Sequence, residues 1–154
     1  MTRALLLVAA LAASPVGALT CAPPDPVTSF HRADAAPERH RALVGTLSFD
    51  DAALPPPANE APPSLPDVPA RLDGAAILPN GGSPGSFGVT IRPTCAGSWC
   101  GWIPSGESWL LFVREEREAL VVEVGPCGGW AFMDPTQAQL DAVTACLRGE
   151  ACGP

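Results

Sequence analysis

The chain has 154 residues with 19 prolines, 15 glycines and six cysteines, and its sixteen acids outweigh nine bases, all arginine, for a net charge of −7. That length holds one domain after a leader and not two. The acidic balance leaves no basic patch for phosphates, so no nucleic acid partner is expected.

Residues 1–18 read as a cleavable signal peptide. Arg3 supplies the positive start, Leu5, Leu6, Leu7, Val8 and Leu11 mark the apolar stretch, and Ser14-Pro15 breaks it. Val16-Gly17-Ala18 then offers small residues for cleavage. Cys21 raises the alternative of a lipid anchor, but Thr20 stands where that signal wants a smaller residue. No later stretch is apolar for long enough to span a bilayer. The expected mature chain is therefore residues 19–154, a single exported domain in the bacterial periplasm or outside the cell, with no membrane segment and in a single copy. Its six cysteines, Cys21, Cys95, Cys100, Cys127, Cys146 and Cys152, are even in number, and no C-x-x-C pair occurs. Only His31 and His40 offer imidazole. Three disulfides are expected in place of a metal site, and no cofactor.

Asp25-Pro26 starts a short helix, with Asp25 as N-cap, Pro26 in the first turn and Phe30 as core anchor. Ala33 to His40 reads as a loop. Ala42 to Phe49 alternates, with Leu43, Leu47 and Phe49 on one face, and predicts the first strand. The stretch from Leu54 to Pro69 has seven prolines in sixteen residues. It predicts an extended surface excursion, placed within residues 50–70, because proline cannot donate to a ladder. Arg71 to Leu78 is a second strand and Pro79-Asn80-Gly81-Gly82 a turn. Phe87, Val89 and Ile91 mark a third strand. Trp109 to Val113 and Leu120 to Val124 make a hairpin, and its charged stretch Arg114 to Glu118 reads as a solvated tip. Asp134-Pro135-Thr136-Gln137 predicts a capped final helix with Asp134 as N-cap, an apolar stripe of Leu140, Val143 and Leu147, and a stop at Gly149. Five strands and one well-capped helix predict a small β-barrel with the helix packed on it.

Particular residues then carry a resemblance. Leu19-Thr20-Cys21-Ala22-Pro23, the helix ending Phe30-His31-Arg32-Ala33-Asp34, Cys100-Gly101 with Gly106 and Trp109-Leu110-Leu111, and the series Cys127, Trp130, Gln137, Leu140 and Cys152 resemble the netrin-like domains that include the tissue inhibitors of metalloproteinases. Short exported bacterial members are the nearest in kind. The resemblance implies an OB-type five-stranded barrel. The family's first cysteine corresponds to Leu19 and its helix cysteine to His31, so Cys100 and Cys152 lose their family partners. The resemblance then implies a retained Cys21–Cys127 bridge, with Cys95–Cys100 and Cys146–Cys152 as local replacements.

In the inhibitors, the free amine and carbonyl of the first mature residue chelate the target's zinc. The resemblance therefore implies a non-enzymatic protein-binding module, with a metalloprotease-like target as the candidate partner. Its partner-binding ridge would comprise Leu19, Thr20, Cys21, Ala22, Pro23, Ser98 and Trp99. A structural or small-ligand-binding envelope protein is the alternative.

Enzymatic signatures are missing from the sequence, with no Gly-x-Ser-x-Gly, no His-Glu-x-x-His and no phosphate-cradling loop. Glu115, Glu116 and Glu118 fall at a hairpin tip, His31 and His40 read as surface or helix-end histidines, and no catalytic residue is expected. Trp99, Trp102, Trp109 and Trp130 read more simply as core than as a ligand site.

Overall fold

A computed structural model describes residues 20–54 and 65–153. The predicted signal peptide, Leu19 and most of the proline-rich excursion lie outside these residues. The described chain is a β-sheet protein with a helix near each end. Helix α1 covers Pro26–Ala35, and strand β1 follows at His40–Ser48. Strands β2 at Val68–Leu78 and β3 at Gly81–Pro93 form the longest hairpin, then β4 (Cys95–Ala96) and β5 (Trp99–Cys100) make a two-stranded flap. Strands β6 (Ser108–Glu116), β7 (Ala119–Val124) and β8 (Ala131–Met133) and helix α2 (Gln137–Leu147) complete the order.

The strand pairings close into a ring. β1 pairs with β2, β2 with β3, β3 with β7, β7 with β6, and β6 returns to β1. Every pairing is antiparallel except β3 with β7, where Val89 to Pro93 run parallel to Leu120 to Val124. β6 also carries β8 beside its first half, with Leu110 opposite Phe132.

Alternation sorts the side chains into two cores. Leu43 and Leu47 of β1, Leu72 of β2, Ile91 of β3, Trp109, Leu111 and Val113 of β6 and Val122 of β7 fill the inside of the ring. The opposite face of β6 presents Leu110 and Phe112, which pack with Ala33 of α1, Val143 of α2 and Phe132 of β8. Trp109 to Val113 is consequently buried without interruption, the pattern of a strand covered on both sides. Phe30 sits at the margin of this second core as a half-buried contact.

Close backbone approach shapes the ring. Gly45 of β1 lies opposite Gly74 of β2. A Cβ on Gly74 would overlap the Val44 carbonyl, and one on Gly45 the Asp73 carbonyl. No side chain fits between the two strands at this point.

Several sequence expectations are corrected. α1 runs on to Ala35, so only Ala36 to Arg39 is a loop. The N-cap of α2 is Thr136 and not Asp134. Thr136 accepts from Gln139 N–H while the Gln139 side chain accepts from Thr136 N–H, which shifts the reciprocal cap by two residues. β3 begins at Gly81, six residues before Phe87, and Pro84 falls in the part of β3 that pairs only with β2. The proline-rich excursion is bounded by buried anchors, Leu54 and Val68, each 1% exposed. Three further short strands, β4, β5 and β8, join the five of the ring.

The charged stretch Arg114 to Glu118 is also less open than a solvated tip. β6 continues to Glu116, leaving Arg117 and Glu118 as the turn, with Arg117 at φ 52°. Glu115 pairs with Arg41, and Glu116 takes hydrogen bonds from Arg92 and Arg114. The Arg92 bond first and the Arg114 bond second hold the Glu116 carboxyl below its ordinary value.

Three disulfides join Cys21 to Cys127, Cys95 to Cys100, and Cys146 to Cys152. Their sequence separations are 106, 5 and 6. In the chain-entropy picture the long loop contributes about 4–5 kcal/mol and each short one about 2 kcal/mol. Replacing both cysteines of one bridge by alanine, one bridge at a time, is expected to lower the thermal midpoint most for Cys21 and Cys127. A calorimetric series in which either short bridge costs more would contradict that ranking.

Candidate functional site

The site is built where three segments distant in sequence converge. The first is the extended stretch Thr20 to Pro24 ahead of α1. Its residues are exposed, and the Cys21–Cys127 bond ties it to the turn after β7. Pro24 rests against that turn, within 3.7 Å of where a Cβ on Gly128 would lie. Asp25 then caps α1, its carboxylate accepting from Thr28 N–H at 2.6 Å. That backbone hydrogen bond is the main reason its carboxyl titrates below the ordinary value.

The second segment is the flap. The Cys95–Cys100 bond joins the residues paired across β4 and β5, and Gly97, at φ 63°, turns the chain between them. Backbone hydrogen bonds seat the flap. Thr94 N–H donates to the Val124 carbonyl at 2.8 Å, and Gly101 N–H donates to the Thr94 carbonyl at 2.9 Å. A Cβ on Gly101 would overlap the Val124 carbonyl, so glycine is required for the flap to lie this close to β7. The third segment is β8, whose outer edge has no strand partner among the described residues.

Between them runs a groove of about 840 Å³, lined by Pro24, Ser98, Trp99, Trp102 and Met133 among others. Trp99 is 61% exposed, Met133 53% and Trp102 40%. Large apolar side chains this open, gathered on one concave surface, mark an interaction site more than a loose core. Here the expectation that the tryptophans are core material is corrected residue by residue. Trp109 is in the core, and Trp130 is half-buried, stacked on His40 at 5.2 Å with Arg32 5.5 Å from its ring. Trp99 and Trp102 are surface groups. Trp102 is held in place by its indole N–H, which donates to the Leu54 carbonyl at 3.1 Å.

The floor of the groove adds a feature no sequence signal announces. Trp109 lines it, yet its indole nitrogen is buried with no hydrogen-bond partner among the described residues. A buried donor without an acceptor costs about 1–3 kcal/mol. Glu123 adds a carboxylate to the groove and is paired with Arg114 at 3.0 Å.

Of the predicted ridge residues, Thr20, Cys21, Ala22 and Pro23 lie in the exposed stretch that leads into the groove at Pro24, and Ser98 and Trp99 lie on its rim. Leu19 is outside the described residues. The two histidines stand apart from the groove. His40 Nδ1 meets the Glu38 carbonyl at 3.0 Å, and His31 Nε2 meets the Cys152 carbonyl at 3.1 Å. Glu115 and Glu116 are tied to arginines at the far end of β6, so they do not form a paired-carboxylate site with one another. No helix among the described residues is long and apolar enough to cross a membrane. No family model, no curated protein and no solved structure matches the chain.

The cap at Asp25 gives this site a pH response. Because its carboxyl is lowered on folding, the stabilisation is complete above the usual carboxylate range and is lost as pH falls through the folded value. The thermal midpoint of Asp25→Ala should therefore lie below that of the parent at neutral pH, and the two should converge in acid. Parallel curves across that range would exclude the capping charge as the cause.

Proposed function

We propose that this chain is an exported, non-enzymatic protein-binding module of the netrin and metalloproteinase-inhibitor type. In this reading its ring of strands is a five-stranded OB-type barrel, and the stretch beginning at Leu19 binds the partner together with the flap. The observation that carries the proposal is the convergence of Pro24 with Ser98 and Trp99 on one groove, although more than seventy positions separate them in sequence. Two disulfides and the Gly101 contact hold that convergence in place.

Other features support the reading. The pairings of β1, β2, β3, β7 and β6 return to the first strand, as a barrel requires. His31 occupies the position of the family's helix cysteine, and its ring bonds to the carbonyl of Cys152, the residue at that cysteine's family partner position. An amine at Leu19, next to a tethered but exposed stretch, is suited to enter a partner's cleft. Pre-ordering by Cys21–Cys127 reduces the entropy lost on binding, and exposed tryptophan is a common anchor of protein interfaces.

A second reading rests on the groove itself. Its volume falls in the range of small-molecule sites, and Trp99 and Trp102 offer ring faces to a ligand.

One titration separates the two. Mature protein beginning at Leu19 is assayed against a panel of zinc metalloproteases, beside a form extended by two residues at the N-terminus and the variant Trp99→Ala. The protein-binding reading expects inhibition by the first form only, loss on extension, and at least a tenfold weaker effect for Trp99→Ala. Trp99 is exposed enough that the variant should keep its stability within about 0.5 kcal/mol. No inhibition of any protease, with a ligand-induced change in tryptophan fluorescence that extension leaves intact, would favour the small-ligand reading.

A further inference from the structure

One side-chain cluster lies away from the groove. α1 and α2 pack together, and the chain after Gly149 turns back over them, with Glu150 N–H donating to the Ala145 carbonyl at 3.0 Å. His31 on α1, Cys146 on α2 and Cys152 beyond the turn thereby bring one imidazole nitrogen and two sulfurs within 4.8 Å of one another. His31 Nε2 is 3.8 Å from Cys152 Sγ. In the oxidised chain the sulfurs are bonded to each other, and a disulfide is not a metal ligand, because metals take the thiolate.

We infer that His31, Cys146 and Cys152 form a latent site for a divalent cation of the zinc class, opened by reduction of the Cys146–Cys152 disulfide. The chemistry balances with a dithiol as reductant. The dithiol gives two electrons and two protons, the Cys146–Cys152 bond breaks into two thiols, and the reductant leaves as its own disulfide. Binding of the cation then releases the two thiol protons to solvent. His31 contributes Nε2 as a neutral imidazole, exchanging its hydrogen bond to the Cys152 carbonyl for coordination. Two thiolates, one imidazole and one water are an ordinary tetrahedral set for zinc, and the soft sulfurs disfavour magnesium and calcium.

Two of the three side chains are placed by helices. Cys146 is 6% exposed and fixed by α2, whose Val143 is fully buried. His31 is fixed by α1 between buried Ser29 and Ala33. Only Cys152 lies outside an element, and the backbone bonds at Gly149 and Glu150 return the chain toward α2.

The test uses the mature chain, oxidised and after anaerobic treatment with an immobilised dithiol that is filtered off. Each form is titrated with Co2+ and then Zn2+. The oxidised chain should bind neither ion at this site. The reduced chain should take one equivalent of Co2+, with thiolate-to-cobalt charge transfer in the absorption spectrum and displacement by Zn2+. X-ray absorption of the zinc form should show two sulfurs and one imidazole. His31→Ala should weaken binding at least tenfold, the scale on which even outer partners of a metal act, and remove the imidazole signal. Because full reduction also opens Cys21–Cys127, a C152H chain is titrated without reductant. Its other two bridges stay intact, and Cys146 with two imidazoles should bind Zn2+ unaided. Failure of C152H to bind zinc would overturn the inference, and so would a zinc affinity in the reduced chain that His31→Ala leaves unchanged.

Discussion

Strand β6 is the constraint on which the remainder of the fold depends. Its stretch Trp109 to Val113 is buried on both faces, and its backbone serves β1 on one side and β8 and β7 in succession on the other. Inward residues close the ring, while outward residues Leu110 and Phe112 give α1 and α2 something to cover. Each fully buried aliphatic or aromatic side chain of this stretch contributes about 1.5–3 kcal/mol by area. Displacing β6 would therefore open both cores together, and no other strand of the ring is placed to replace it.

The groove exists because of how β6 is shared. Its second half pairs with β7, but its first half pairs with β8, so β7 and β8 diverge and leave a cleft between Val124 and Met133. The flap covers one side of this cleft, and the stretch before α1 borders another. Trp99, Trp102 and Met133 at its rim are apolar and open to solvent, whereas the charged groups of β6 gather at the opposite end of the strand, paired with each other and with arginines of β1 and β3. Solvent-exposed ion pairs of that kind contribute little stability. Their effect is to satisfy carboxylates at the strand end.

Much of the sheet was legible from residue pattern. Alternation located β1 and the second half of β3, a hairpin reading located β6 and β7, and Asp25-Pro26 located the start of α1. The errors share a cause. β8, β4 and β5 are only two or three residues long, too short for periodicity to register; β8 is fixed by β6, some twenty residues earlier, and β4 and β5 by each other across a tight turn. At α2, the residue pattern put the N-cap at Asp134, whereas side-chain reciprocity between Thr136 and Gln139 puts it two residues later. At the site, the stretch around Cys21 and the flap residues Ser98 and Trp99 were legible only through a resemblance. Exposure of Trp102 was not legible at all, because tryptophan composition reads as core until the covering elements are known. The buried Trp109 nitrogen is likewise a property of three-dimensional surroundings.

The long disulfide also has a mechanical meaning. Tension applied at Thr20 passes through Cys21 into Cys127 without loading α1 or any strand from β1 to β7, since those elements lie inside a covalently closed circuit. A pull between the two ends of the described chain can lengthen only the part beyond Cys127, until the second clamp at Cys146 and Cys152. That compliant part consists of the turn, β8 and α2. Stretching would peel β8 and α2 from Leu110 and Phe112 while the ring stayed locked. A tethered partner pulling on the N-terminal stretch would thus meet a nearly inextensible body, with its give confined to one wall of the groove.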